Sequence, residues 1–303
     1  MTNFLITGCA GFIGSHVSDL FLERGHKVVG VDKFTYAGKI ENVPEGAVLY
    51  IDDICDTDKM GEICKEHDIE QIINFAAESH VDNSIKGYNS FIDSNVKGVK
   101  SLLDVCKRMD IVLVQISTDE IYGPIKQGSF HEYAPARPMN YYSATKAAAE
   151  HLVSAYSNTF GLPYKMIRMS NNYGPRQHDE KFLPTILRSI KNGNKIPLYG
   201  NGDNIRDWIY VEDSSKAIYD IISKAPLDEI YNISFKDEKT NREVIGIILD
   251  EMGLNWSDHV ENVPDRLGHD FRYSITNHKM LQYIDFEPTP FSEGVRGIIS
   301  NDK

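Results

Sequence analysis

Short apolar runs alternate with longer stretches of helical periodicity through the first half of the chain. Residues 3–7 read as a buried strand, 12–24 as a helix and 27–31 as a second strand. A third strand is expected at 47–51, a helix over 58–67 and a fourth strand at 71–75. The spacing then predicts a long amphipathic helix over 90–109, a fifth strand at 111–116, a helix over 142–160 and a sixth strand at 164–168. Strands that alternate with helices imply parallel βαβ units. The expected fold class is therefore α/β, a Rossmann-type doubly wound parallel sheet.

Beyond residue 170 the pattern changes. Turn-rich stretches such as Asn171-Asn172-Tyr173-Gly174-Pro175 and Tyr199-Gly200-Asn201-Gly202-Asp203 interrupt short apolar segments, and 243–252 looks helical. This predicts a dinucleotide-binding domain over 1–170 and a smaller, loop-rich substrate lobe over 171–303, some segments of which return to the first domain. With no low-complexity linker and no internal repeat, the two are expected to pack together.

The 303 residues suffice for one large or two modest domains. Hydrophobic content of 41% and charged content of 25% are ordinary for a globular protein. The net charge of −12 argues against general binding to nucleic acid or anionic membrane, though a local basic pocket could still hold an anionic small molecule. Cys9, Cys55, Cys64 and Cys106 form no CxxC pair and no zinc spacing, so reduced thiols and no metal are expected. The amino terminus runs straight into a glycine motif without a basic leader, and no apolar stretch is long enough to span a bilayer. A cytoplasmic protein is the expectation.

Gly8-Cys9-Ala10-Gly11-Phe12-Ile13-Gly14 follows the first strand and opens the first helix. The glycines permit a tight turn and close backbone approach, and the helix start offers free N–H groups to a pyrophosphate. Asp32 ends the second strand, where its carboxylate would accept hydrogen bonds from a ribose and repel a 2′-phosphate. That favours NAD over NADP, with the following Lys33 weakening the preference slightly. Lys33, Phe34 and Thr35 join the cofactor candidates. Asp53 and Ile54 end another strand, and Phe75, Ala76 and Ala77 follow the fourth, at the edge where α/β proteins bind ligands.

Tyr142 and Lys146 are four residues apart and share a helix face. A tyrosine of pKa about 10 is a poor base at neutral pH; a neighbouring ammonium and a cationic nicotinamide ring would lower it. Ser117-Thr118 ends the fifth strand, and Thr118 could hydrogen-bond an alcohol being oxidised. Asp119 and Glu120 follow directly. Adjacent residues cannot share one face of a strand, but if the strand stops at Thr118 and turns, both can reach one cavity. One acid and one base are what β-elimination requires, with surroundings that push the two pKa values apart. A simple alcohol dehydrogenase or an epimerase does not need that pair. A solvated acidic pair at a loop start is the bland alternative.

These residues carry a family resemblance. The segments 117–123 (STDEIYG), 142–146 (YSATK), 170–175 (SNNYGP), 206–213 (RDWIYVED) and 265–270 (DRLGHD) resemble the nucleotide-sugar 4,6-dehydratases of the extended short-chain dehydrogenase/reductase superfamily, as does the Gly-x-x-Gly-x-x-Gly spacing. The resemblance runs from Gly8 to about Phe291. It implies a tightly held NAD and a nucleotide-glucose substrate, dTDP-glucose before UDP-glucose. The implied reaction is C4 oxidation aided by Tyr142, water elimination across C5 and C6 with Glu120 as base and Asp119 as acid, and hydride return to C6. The product would be a 4-keto-6-deoxy sugar, usually on the way to a deoxysugar such as rhamnose. By the same resemblance, Ser79, Thr118 and Asn171 face the sugar, and Asn172 and Ser94 the cofactor. Lys181, Phe182, Pro197, Tyr199, Arg206, Asn232, Arg266 and His269 would line the nucleotide-diphosphate pocket. Members are usually homodimers paired through two helices per subunit, for which 90–109 and 142–160 are the candidates. Cys9 and Leu267 depart from the family pattern, and the 120–142 segment looks shorter than in many bacterial members. The rival readings are a 4-epimerase or UDP-glucuronate decarboxylase of the same superfamily, which need no acid at C6, and a non-catalytic NAD sensor, which need not keep all five residues of the constellation.

Overall fold

The computed structural model describes residues 1–80, 87–265 and 270–301. Six strands from the first half and one from the second build a single parallel sheet: β1 (Asn3–Thr7), β2 (Lys27–Asp32), β3 (Val48–Ile51), β4 (Gln71–Asn74), β5 (Val112–Thr118), β6 (Tyr164–Met169) and β10 (Glu229–Ile233). Their order is β10-β6-β5-β4-β1-β2-β3. The chain runs outward from β1 through β2 and β3, then outward on the other side from β4. A crevice therefore opens at the carboxyl ends of β1 and β4, where ligands of such sheets bind.

The period of two along each strand sorts the core into two layers. Phe4 and Ile6 join one buried cluster with Val28, Ile73, Val114 and Ile167. Leu5 joins the other with Val29, Ile72, Leu113 and Met166. Helix α1 (Phe12–Glu23) covers the first face through Val17 and Phe21. Helix α2 (Thr57–Glu66), helix α3 (Val99–Met109) and helix α4 (Tyr141–Phe160) cover the second, through residues such as Ile63, Leu102 and Val153.

The helix expected over 90–109 is not uniform. A turn at Asn89–Ile92 passes into a π-helical turn, Asp93–Gly98, before α3 begins. The insertion brings Ser94 to the crevice. Such bulges concentrate at functional sites.

The second half forms smaller layers: β7 (Asn171–Tyr173), α5 (Phe182–Lys191), β8 (Ile196–Tyr199), β9 (Ile205–Tyr210), β11 (Glu238–Thr240), α7 (Asn241–Met252) and β12 (Val260–Val263). They enclose their own cluster around Tyr173, Trp208, Ile245 and Phe291. One helix and one strand depart from this lobe. Helix α6 (Val211–Lys224) packs Ile218 and Ile221 into the first core layer, and β10 pairs with β6. Buried Lys165 on β6 donates to the carbonyls of Ile221 and Ile222, satisfying the carboxyl end of α6.

Two glycines of the first loop set the approach of β1, α1 and β4. Gly8 has a left-handed φ of 70°, and a Cβ there would lie 2.8 Å from the backbone of Phe75 and Ala76. A Cβ at Gly14 would collide with the Gly8 carbonyl oxygen, which is backbone and cannot move aside. Gly14→Ala should therefore destabilise the protein by about 1–3 kcal/mol, as overpacking does. Denaturant unfolding checks this, and a midpoint equal to the wild type would refute the packing argument.

Candidate functional site

The crevice is a cavity of about 320 Å³. Its floor comes from the first loop, Gly8, Gly11, Phe12, Ile13 and Gly14, with Asp32, Lys33 and Thr35 after β2. Asp53, Ile54, Phe75, Ala76, Ala77 and Ser94 complete that half. Asp32 accepts the backbone N–H of Ala10 at 3.0 Å and of Phe34 at 2.8 Å, so the loop itself orients the carboxylate. Lys33 donates to Asp53 at 3.2 Å and to Ser94 at 3.0 Å, bridging two walls. The cradle suits a dinucleotide: glycine backbone at a helix start, a carboxylate at the end of β2, and small residues after β4.

The other half carries the acid–base groups. Strand β5 ends at Thr118, and a 3₁₀ turn, Asp119–Tyr122, follows at once. The Thr118 hydroxyl caps that turn by accepting the Glu120 N–H at 3.3 Å. The change from strand to turn brings Thr118, Asp119 and Glu120 all to the cavity, with Tyr142 and Lys146 from the first turns of α4. That helix begins with a capping box in which Asn140 holds the Ser143 N–H at 2.8 Å. The Asn140 side-chain amide also donates to Glu120 at 3.1 Å, locking the acid turn to the helix start.

Burial, adjacency to Glu120 and the more distant Asp207 push Asp119 up to about 8, against the pull of Arg206. Its Oδ2 is buried with no hydrogen-bond partner, which suits a protonated carboxyl facing a cavity. Burial also raises Glu120, but Asn140, Arg206 and Lys181 all favour its anion. Burial lowers Lys146 to about 8 while Glu150 favours its charge, and its Nζ donates to the Ile116 carbonyl at 2.6 Å. The Tyr142 phenol is raised, first by burial and then by Glu120, with a hydrogen bond to Thr118 opposing. Left to the protein alone it is a phenol, so its use as a base depends on a cation brought beside it.

Ser79, Asn171, Asn172 and Lys181 also line the cavity, and the Lys181 ammonium lies 3.3 Å from the Ser79 carbonyl. Asn172 is fixed by donating to the Ser170 carbonyl at 3.0 Å and accepting from Ser214. Other expected residues lie elsewhere. Phe34 is not part of the wall. Phe182 stacks on Trp208 in the second lobe, and Pro197 and Tyr199 lie on β8. Arg206, on β9, stands over the Tyr273 ring and donates to the Asp270 carbonyl. It still acts electrostatically on Asp119 and Glu120. Asn232 is fully buried in β10, where its amide accepts from Tyr122 and donates to the Phe130 carbonyl. Arg266 and His269 lie outside the described residues.

Tyr36, Glu78, Gln177, His178 and Glu180 line the cavity without having been expected. Glu78 belongs to the run 75–80, whose position after β4 could have flagged it. The others sit in loops with no periodicity to read. Among the described residues no cluster of ligating side chains could hold a metal ion, and no helix is long and apolar enough to cross a membrane.

Comparison with known proteins places this geometry. Residues 4–234 match the NAD dependent epimerase/dehydratase family. A dTDP-glucose 4,6-dehydratase from Streptomyces antibioticus is 40% identical over 97% of this chain and 90% of its own length. The crystal structure of the dTDP-glucose 4,6-dehydratase DesIV from Streptomyces venezuelae, with NAD and TYD bound, superposes with a TM-score of 0.94 at 36% identity, covering 99% of this chain and 96% of that one. A UDP-glucose 4-epimerase from Thermotoga maritima, with UDP-glucose, superposes with a TM-score of 0.93 at 26% identity, covering 99% and 98%.

The Asp119 shift predicts a pH dependence. With its folded pKa near 8 and its unfolded value near 3.8, the native state holds a proton that the unfolded state loses from pH 4 upward. Stability contributed by this group is therefore present below pH 4 and is lost as pH rises toward 8. Lys146, lowered to about 8 in the fold, contributes its slope mainly above that pH and in both proteins alike. Asp119→Asn should therefore be more stable than the wild type, by an amount that grows between pH 5 and pH 8. Thermal unfolding at the two pH values reads this, and a pH-independent difference would contradict it.

Proposed function

The chain belongs to the NAD dependent epimerase/dehydratase family, and we propose that it dehydrates a nucleotide-glucose to the nucleotide-4-keto-6-deoxyglucose. The single observation that carries this reading is the buried Asp119-Glu120 pair beside Thr118 and Tyr142 in one cavity. The two backbones just compared are nearly equally similar to this one, so overall shape does not separate dehydration from epimerisation. A 4-epimerase gives no work to an acid at C6, and Asp119 is difficult to explain on that reading.

In the proposed reaction Thr118 and Tyr142 hold the C4 hydroxyl, and Tyr142 takes its proton. Glu120, the carboxyl whose anion Asn140, Lys181 and Arg206 favour, removes the proton at C5. Asp119, raised to about 8 and so protonated at neutral pH, donates to the departing C6 hydroxyl. Burial raises both carboxyls, and only at Glu120 do Asn140, Lys181 and Arg206 together oppose the rise, which favours Glu120 as base and Asp119 as acid for one elimination. Lys146 keeps a positive charge one helical turn from Tyr142. The glycine loop, Asp32, Lys33 and Ser94 would hold NAD, which would supply the hydride acceptor and donor that make the reaction redox-neutral overall. The Asp32 carboxylate would repel a 2′-phosphate, with Lys33 beside it weakening that preference.

The relatives support dTDP-glucose as substrate, with UDP-glucose the competitor. A difference of one methyl group on the base contributes only about 1–3 kcal/mol to such a choice. They also support a place in deoxysugar biosynthesis. We further propose a homodimer in the cytoplasm. Exposed Tyr88, Ile92 and Tyr141, beside or on the helices expected to pair, favour such an interface.

The purified protein should convert dTDP-glucose to a product lighter by one water, with UDP-, CDP- and GDP-glucose tested in parallel by mass spectrometry. Unchanged mass with all four would sink the dehydratase reading. Asp119→Asn and Glu120→Gln should each lower kcat about 10²–10⁴-fold while reduced cofactor still forms in a single turnover. If that first oxidation is abolished instead, the assignment of the two acids is wrong.

A further inference from the structure

We propose that Arg168 and Tyr122, which do not line the cavity, are positioning residues that hold the acid turn against the catalytic helix. The proposal rests on the elimination reading above for its kinetic consequences.

Arg168 lies on β6 and is buried, 5% exposed, as is Glu150 on α4. The guanidinium grips Glu150 through two edges: Nε donates at 3.0 and 3.2 Å, and Nη2 at 2.6 Å. Its remaining nitrogen, Nη1, donates to the Tyr122 hydroxyl at 2.5 Å and to the Glu132 carbonyl at 2.9 Å. The Tyr122 hydroxyl in turn donates to Asn232 Oδ1 at 3.0 Å. Every member is buried, and each donor has a partner.

The connectivity gives this network its meaning. Glu150 is one helical turn beyond Lys146 and two beyond Tyr142, on the same face of α4. Tyr122 is the last residue of the 3₁₀ turn that starts with Asp119 and Glu120. One planar cation therefore joins the helix carrying the oxidation chemistry to the turn carrying the elimination chemistry, from behind both. On the cavity side Asn140 makes a corresponding link. A buried ion pair is weak evidence for stability and better evidence for fixing geometry. The fork shape of arginine matters, because a lysine cannot make both edges at once.

Arg168→Ala would leave Glu150 as an uncompensated buried charge, so the informative variants are Arg168→Lys and Tyr122→Phe. Lys165→Met serves as a control for simple destabilisation, because Lys165 is an equally buried cation that caps α6. Arg168→Lys and Tyr122→Phe should lower kcat about 10- to 100-fold, the cost of sub-ångström misplacement, with KM within about threefold of the wild type. Reduced cofactor should accumulate at steady state, because elimination slows more than oxidation. Lys165→Met should lose stability without this change.

A second measurement does not depend on the substrate. The extra stability of Asp119→Asn, compared between pH 5 and pH 8, should shrink by at least half in the Tyr122→Phe background, because a released acid turn lets Asp119 reach water. If the wild type leaves every nucleotide-glucose unchanged, the functional reading fails while this stability cycle still decides the positioning role. An undiminished Asp119 pH dependence overturns the proposal. So does kcat within about twofold of the wild type in both folded variants, or a loss no different from that of Lys165→Met.

Discussion

Asp119 and Glu120 are neighbours in the chain and are withdrawn from water together, and much of the surrounding structure makes that tolerable. Two ionised carboxylates side by side in a dry site repel strongly. The conflict is relieved by keeping a proton on Asp119 and by giving Glu120 the Asn140 amide and the fields of Lys181 and Arg206. These partners come from the start of α4, from the loop before α5 and from β9. Lys181 and Arg206, both from beyond residue 170, thus supply two of the charges that favour the Glu120 anion.

The same arrangement explains how a shared architecture serves different chemistries. On the proposed reading, the glycine loop, Asp32, and the tyrosine and lysine of α4 would provide a site for reversible oxidation of an alcohol. What is done with the resulting ketone depends on a few side chains at the end of β5. The termination of that strand at Thr118 is decisive, because a further extended residue would turn one of the two acids away from the cavity. The 3₁₀ turn lets both face it.

Much of this was legible along the chain because the relevant signals are local. The strand, glycine turn and helix at residues 3–24 declare themselves by spacing, and so do Thr118-Asp119-Glu120 and Tyr142-x-x-x-Lys146. Residues whose position depends on distant pairing were not legible. Asn232 lies on a segment that joins the main sheet as β10 beside β6, where it meets Tyr122. Phe182, Pro197 and Tyr199 are positioned by the packing of the second lobe, which no periodicity describes. Tyr36, Gln177 and His178 reach the cavity from loops whose course is set by contacts made elsewhere.

The sequence by itself determined the alternation that makes a parallel sheet, the loop that admits a dinucleotide, and the chemical identity of the acid, base and tyrosine, because each is written within a few consecutive residues. Only the tertiary structure decided which strand joins the far edge of that sheet, that burial raises both Asp119 and Glu120 while Asn140, Arg206 and Lys181 oppose the rise at Glu120, and that Arg168 stands behind both segments. Those outcomes depend on burial and on charges from residues tens to more than a hundred positions apart, and no local pattern carries that distance.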